Sequence, residues 1–145
     1  MSERAAVAGL PVSTFSADAV AEVPPSATLL EVADALTAGE VGAVVVRQDS
    51  KVVGVVSERD LVGALARRLP MDEVTAADVA STELVWADAA APVGEVANEM
   101  LEHYVRHVLV EEDGELVGMV SARDLLGAYS TEAYPEDLDD LDDLD

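Results

Sequence analysis

The sequence predicts an α/β fold made of two copies of one β-α-β-β-α unit, each a small sheet packed with helices. The main observation is an internal repeat, because the segment Gly54–Leu61 returns as Gly118–Leu125, 64 positions later. This register holds without a gap over 38 positions, of which 17 are identical. The second observation is that β-branched runs alternate with apolar residues at helical spacing. A repeat of this length indicates one supersecondary unit used twice.

In the first copy, a strand-like run, Val20–Val23, precedes a helix that begins at a capping box, Thr28-x-x-Glu31. Apolar residues recur at helical spacing as far as Gly39, a residue type common at helix C-termini. Two β-branched runs, 41–47 and 52–56, then predict a hairpin.

Ser57 is expected to cap the second helix of this copy, which ends near Pro70. The second copy repeats the order of elements. Its predicted elements are a strand at 84–87, a helix with Val93, Val96, Ala97 and Met100 on its apolar face, strands at 105–110 and 116–120 around Asp113-Gly114, and a helix from Ser121 to Tyr129.

These elements predict four regions in the chain. Residues 1–9 show no periodic pattern and are expected to form a flexible arm. The first repeat is placed at 10–70 and the second at 71–130. Residues 131–145 are expected to be a disordered acidic tail, because blocks of like charge usually stay solvated.

Composition restricts the classes of function. The net charge is −22, from 30 acidic against 8 basic residues, so binding to nucleic acid is not expected. The acidity and the scarcity of lysine favour a halophilic protein, whose self-repulsion concentrated salt would screen. The absence of cysteine excludes thiolate chemistry. With no apolar run long enough for a membrane span, we expect a cytoplasmic protein without membrane contact.

The shared Ser-x-Arg-Asp sequence at Ser57 and Ser121 has two interpretations. A serine followed three residues later by an acid, between a strand and an apolar helix, is a helix-capping signature in its own right. Alternatively, a helix N-terminus with a hydroxyl and an arginine suits phosphate, and an aspartate suits the hydroxyls of a ribose. Glycines inside the preceding strands, at Gly54 and Gly118, favour a closely approaching ligand.

The two segments that begin at Gly54 and Gly118, with Val105–Val110, resemble the CBS (cystathionine-β-synthase) domain. A tandem pair of such domains is called a Bateman module, and the resemblance covers about Val12 to Tyr129. It implies a pseudo-twofold between the repeats and two clefts that hold an adenosine-containing ligand. It also implies a homodimer. The ligand-binding residues carried over are Ser57, Arg59, Asp60, Ser121, Arg123 and Asp124, with Ala43, Val44, His107 and Val108 at the strand starts that contact the base.

Charge distinguishes the copies. The stretch 47–68 has five basic and three acidic residues, whereas 111–132 has one basic and six acidic residues. This difference predicts tighter binding of anionic nucleotides in the first repeat. In the other interpretation, Arg67 and Arg68 only offset the C-terminal end of their helix.

No metal site is predicted. His103 and His107 have the spacing of a helical metal pair, with Glu99 and Glu102 nearby. The repeat, however, places His103 at the end of a helix and His107 in the next strand, so the two should not share a helix face.

The sequence therefore favours a regulatory module that binds AMP, ADP, ATP or S-adenosylmethionine and signals to a separate effector protein. No catalytic residues are identified, since no nucleophile triad or P-loop is visible, and no cofactor is expected to be required. The alternative is a structural or dimerisation module whose clefts are empty or weakly occupied.

Overall fold

The computed structural model describes residues 3–16 and 20–133, and it confirms a mixed α/β fold with two three-stranded sheets. The repeated β-α-β-β-α order is present in both halves. In chain order the elements are α1 (Glu3–Ala8), a 3-10 helix (Val12–Thr14), β1 (Glu22–Val23), α2 (Leu29–Gly39), β2 (Ala43–Gln48), β3 (Lys51–Ser57), α3 (Glu58–Ala66), α4 (Ala76–Val79), β4 (Trp86–Asp88), α5 (Val93–His103), β5 (His107–Glu112), β6 (Glu115–Ser121) and α6 (Ala122–Ala133).

Each sheet has a parallel pair followed by an antiparallel hairpin, in the orders β1-β2-β3 and β4-β5-β6. Both hairpin turns have two successive residues with positive φ, Asp49 and Ser50 at 49° and 72°, and Asp113 and Gly114 at 53° and 81°. Such turns match the twist of the flanking strands. The hairpins place the start of β2 and of β5 opposite the residue that precedes α3 and α6, respectively.

Helix α2 begins at the predicted capping box but ends differently from the expectation. Gly39 is the last helical residue, and Glu40 has the left-handed conformation, with φ 52°. Its backbone N–H donates to the carbonyls of Leu36 and Thr37, which satisfies groups that the helix end leaves open. Tyr104 ends α5 in the same way, with φ 54°, so the stop is a property of the repeated unit rather than of glycine.

The chain divides into two compact units whose limits differ from the predicted repeats. One unit is Val20–Leu84, and the other comprises the described residues of Met1–Ala19 and Val85–Asp145. Backbone hydrogen bonds explain this division. The N–H groups of Val12 and Val93 donate to the carbonyls of Ala91 and Leu10 in one unit, and those of Leu29 and Ala76 donate to Val74 and Ala27 in the other.

The N-terminal segment also differs from the predicted flexible arm. Residues 3–8 form α1, which packs against α5 and α6, and Val7 is 1% exposed. The close approach is possible because Gly94 of α5 has no side chain, since a Cβ there would lie 3.2 Å from the Cβ of Ala8. A single valine in a short alanine-rich segment gives no periodic signal, so the sequence did not indicate this helix. The predicted acidic tail lies outside the described residues from 134 onward, and residues 131–133 belong to α6.

Each unit has its own aliphatic core, beneath its own sheet. In the first-repeat unit the core includes Val32, Leu36, Val44 and Val56, and in the second it includes Val96, Met100, Val108 and Val120. Within residues 3–16 and 20–133, no helix has both the length and the apolar character needed to cross a bilayer.

Candidate functional site

In the first-repeat unit, the candidate site lies where β3 passes into α3. Ser57 is the last strand residue and the N-cap of the helix, opposite Ala43 at the start of β2. The backbone N–H of Ser57 donates to Oδ2 of Asp60 at 2.8 Å, and its hydroxyl donates to the same oxygen at 3.1 Å. The N–H of Asp60 donates back to Oγ of Ser57 at 3.3 Å. The two predicted ligand groups therefore form a capping box.

The second-repeat unit has the same arrangement between β6 and α6. The backbone N–H of Ser121 donates to Oδ2 of Asp124 at 2.8 Å, and the N–H of Asp124 donates to Oγ of Ser121 at 3.0 Å. His107, at the start of β5, lies opposite Ser121. Asp60 is half-buried whereas Asp124 is exposed, so the two carboxylates have different access to solvent.

The sequence pattern alone could not distinguish a helix cap from a ligand site, because the first-repeat unit has two further helix caps with the pattern Thr-x-x-acid. The backbone N–H and the hydroxyl of Thr28 both donate to Oε1 of Glu31, at 3.1 Å each. Those of Thr75 both donate to Oδ2 of Asp78, at 3.0 Å each. The bonds at Ser57 and Ser121 are thus the ordinary bonds of a helix start.

The cap at Asp78 makes a prediction about acid stability. Hydrogen bonds from the backbone N–H and then the hydroxyl of Thr75 lower the pKa of Asp78 below its usual 3.8. A lowered pKa means that the ionised cap stabilises the folded state above pH 3.8, and that this contribution is lost as the pH falls through the folded value. We expect the stability difference between the wild type and Asp78→Asn, measured by urea unfolding, to be constant at neutral pH and to shrink below about pH 4.

The matched variant for this prediction is Thr75→Val, which removes the hydroxyl and keeps the backbone donor. Because the backbone bond is the larger cause of the shift, this variant should keep most of the pH dependence. An Asp78→Asn difference of the same size at pH 2 and pH 7 would contradict the assignment.

Three of the four strand-start residues are buried. The side chains of Ala43, Val44 and Val108 are 0% exposed, and Val44 and Val108 belong to the cores of their units. Val44 and Val108 lie on the inner faces of β2 and β5, whereas Ala43, the residue before Val44, lies on the opposite face of the sheet and is buried there. The contact of these strand starts with a base stays a prediction. His107 is half-buried, and Arg59 and Arg123 are exposed in the first turns of α3 and α6.

Gly54 also has a different explanation from the one the sequence favoured. A Cβ at this position would lie 2.8 Å from the Cβ of Ala80 and 3.1 Å from the carbonyl oxygen of Ser81. That segment pairs with β3, since Val55 and Ser81 exchange backbone hydrogen bonds of 3.1 and 2.9 Å. The glycine therefore admits a neighbouring segment of the same unit rather than a ligand.

Apart from Arg59, which precedes Asp60 in α3, the arginines of the first repeat do not gather around Asp60. Arg47 forms an ion pair of 2.9 Å with Glu22 and donates to the carbonyl of Ser50 in the hairpin turn. Arg67 is the C-cap of α3, and Arg68 donates to the carbonyl of Ala66. They lie seven and eight residues after Asp60, at the opposite end of α3, which is about 10–12 Å along the helix axis. The charge argument for tighter binding in this repeat is not supported.

The histidines are placed as the repeat predicted, with His103 at the end of α5 and His107 in β5. They do not share a helix face. The acids named beside them do group with one histidine, because Glu99, Glu102 and His103 bring their side-chain donor atoms together on α5. The signal was present in the i, i+3, i+4 spacing of the three residues.

Known proteins share this fold. The CBS domain protein PAE2072 of Pyrobaculum aerophilum, solved in complex with AMP, is 35% identical with a TM-score of 0.72, over 79% of this chain and 89% of that one. The CBS domain pair of protein MJ0100, solved with 5-methylthioadenosine and S-adenosyl-L-methionine, has a TM-score of 0.75 at 20% identity, over 83% and 95%. At that identity the likeness concerns the fold alone.

Among curated proteins, MK0525 of Methanopyrus kandleri, whose function is uncharacterised, is 30% identical over 105 residues. The match covers 70% of this chain and 54% of that protein, so the chain spans about half the length of this relative. The family model for the CBS domain matches residues 7–67 and 76–131, one match for each repeat. With both repeats matched and the doubled strand-to-helix site in place, the chain belongs to the CBS domain family and carries two such domains in tandem.

Proposed function

We propose that the chain is a non-catalytic regulatory module that binds an adenosine-containing ligand and signals to a separate protein. The sites are the strand-to-helix junctions at Ser57–Asp60 and Ser121–Asp124. AMP, ADP, ATP and S-adenosylmethionine are the candidate ligands. The complex of the Pyrobaculum relative with AMP supports this ligand class.

One observation carries the proposal. At both junctions, every hydrogen bond to the aspartate from the described residues ends on Oδ2. The cap therefore fixes each carboxylate in place and leaves Oδ1 available to accept from the hydroxyls of a ribose, as the acid of dinucleotide folds does. The hydroxyls differ, because that of Ser57 also donates to Asp60 whereas that of Ser121 only accepts from the backbone.

The second candidate function, a structural module, is favoured by the same bonds. The capping box at Thr28 has the same reciprocal bonds as that at Ser57 without any proposed site, so a cap alone accounts for the conformation seen at Ser57. The two functions differ only in whether Oδ1 meets a ligand, which makes them separable by measurement.

The test compares ligand-induced thermal stabilisation in Asp60→Ala, Asp124→Ala and Asp78→Ala, with AMP, ADP, ATP, NADH and S-adenosylmethionine in concentrated salt. All three substitutions remove the acidic partner of a capping box and should lower stability by similar amounts. Only Asp60→Ala and Asp124→Ala should reduce affinity for the stabilising nucleotide, by about tenfold or more, the loss expected for hydrogen bonds to a charged group. If no compound stabilises the wild type, or if Asp78→Ala has the same effect on affinity, the structural module is the correct function.

We also propose that the chain forms a homodimer. Val62 of α3 and Leu126 of α6, at equivalent positions of the two repeats, are 66% and 71% exposed and are therefore available to a second copy. A ligand can shift the shape of such a dimer only by its difference in affinity for the two states.

A further inference from the structure

The last turn of α5 brings together three side chains that metal ions bind. Glu99, Glu102 and His103 each offer one donor atom, and these atoms all lie within 4.8 Å of one another. Residues at i, i+3 and i+4 of a helix share one face, so the backbone itself holds the group together. None of the three belongs to the candidate nucleotide sites.

The distances are close to those that a zinc ion requires. Nε2 of His103 lies 3.2 Å from Oε2 of Glu99. Zinc binds imidazole nitrogen and carboxylate oxygen at about 2.0–2.2 Å, so two such donors in a tetrahedral site lie ~3.4 Å apart. His103 and Glu99 are thus nearly at ligand spacing, and the donor atom of Glu102 lies within 4.8 Å of both.

The electrostatic setting favours a cation. His103 is the last residue of α5, where the helix dipole is negative, and two carboxylates face the same point. One imidazole with two carboxylates is a donor set that suits zinc better than magnesium or calcium, which prefer oxygen alone. Three ligands on an exposed helix leave the remaining coordination positions to water, so the site would be open.

The first repeat supplies an internal comparison. The equivalent positions of α2 are Ala35, Ala38 and Gly39, which offer no donor atom. Both α2 and α5 are nevertheless helices of 11 residues that end in the same left-handed cap. The helix therefore does not need the three polar side chains in order to form. The ion pair between Glu99 and His103 does not explain why a third metal-binding type of residue stands at position 102.

We propose that Glu99, Glu102 and His103 bind one zinc ion at the end of α5. The site is separate from nucleotide binding, and it distinguishes the second CBS domain from the first.

Zinc titration of the whole chain by calorimetry tests the proposal, with excess magnesium present to occupy diffuse acidic sites. We expect one zinc ion per chain, and a loss of affinity of about tenfold or more in His103→Ala and in Glu102→Gln, as expected when a ligand is removed. Glu95→Gln, on the same helix but outside the trio, should bind zinc as the wild type does. Unchanged affinity in His103→Ala would overturn the proposal, as would a loss in Glu95→Gln equal to that in Glu102→Gln.

A second experiment tests whether this spacing of donors on a helix is sufficient to bind zinc. The triple variant Ala35→Glu, Ala38→Glu, Gly39→His places the same donors on α2, where a Cβ at position 39 meets nothing closer than 3.4 Å. Circular dichroism establishes that it folds, and calorimetry should then give two zinc ions per chain. A folded triple variant that still binds one ion would show that spacing on the helix is not sufficient, and would overturn the assignment of the site to these three residues alone.

Discussion

Replacing Leu36 with alanine is expected to lower the free energy of unfolding by about 2–5 kcal/mol, the range for removing a buried leucine or methionine side chain. Leu36 is 6% exposed on α2 and packs in the core of its unit with Val32 and Val44. Met100 holds the equivalent place in the second unit, also at 6% exposure, and Met100→Ala should cost a similar amount. Urea unfolding followed by circular dichroism measures both losses.

The repeat itself supplies the controls for this prediction. Leu36→Met and Met100→Leu each insert the residue that the other copy uses, and volume-conserving exchanges of this kind usually cost less than ~1.5 kcal/mol. A loss in Leu36→Met as large as in Leu36→Ala would mean that the two cores have diverged in shape, and that their equivalence is limited to the backbone.

Replacing Gly54 with alanine is expected to destabilise the first-repeat unit by about 1–3 kcal/mol, the usual cost of overpacking. The new Cβ would lie 2.8 Å from the Cβ of Ala80 and 3.1 Å from the carbonyl oxygen of Ser81. Neither atom is at the end of a flexible side chain, and the two hydrogen bonds between Val55 and Ser81 hold this segment against β3. Relief of the contact therefore requires backbone movement, which thermal or urea unfolding would detect as lost stability.

Two further variants separate the clash from a general effect of alanine. Ala80→Gly removes the nearer atom, so the double variant should regain part of the stability lost in Gly54→Ala. Gly63→Ala, in the middle of α3 with nothing within 4 Å, should instead stabilise by up to about 1 kcal/mol, since alanine favours helix over glycine. If Gly54→Ala were neutral, the close approach of residues 80–81 would not be a constraint on this strand.

The fold was predictable because the strongest signals were local and doubled. Each hairpin and each long helix of the repeat is determined by residues close in sequence. The second copy shows the same pattern as the first, so each copy supports the elements predicted for the other. The short α1 and α4 were not predicted, because their stability comes from packing and backbone bonds to distant residues rather than from periodicity. Residues 10–16 and 71–81 are assigned to their units by long-range pairings, such as that of Val12 with Ala91. No local sequence pattern encodes these pairings.

The candidate site was predictable only in part. The sequence correctly identified Ser57, Asp60, Ser121 and Asp124 as a repeated strand-to-helix junction. It could not tell that Gly54 faces Ala80, or that Arg47 is engaged by Glu22, because both contacts join residues from separate elements. The sequence pattern set a metal site aside because His103 and His107 do not share a helix face, but Glu99 and Glu102 share one with His103 without the second histidine.

The division of the chain into two units has a consequence for the order of folding. The first-repeat unit, Val20–Leu84, is one continuous stretch, so every contact it needs is available once the ribosome has released that stretch. The other unit joins residues 10–13 to residues 89–93, and it has to close a loop of roughly 80 residues, whose entropy grows with the logarithm of its length. Because the continuous unit lies within that loop in the sequence, its earlier folding orders most of the residues of the loop, and less conformational entropy is left to lose when the second unit closes.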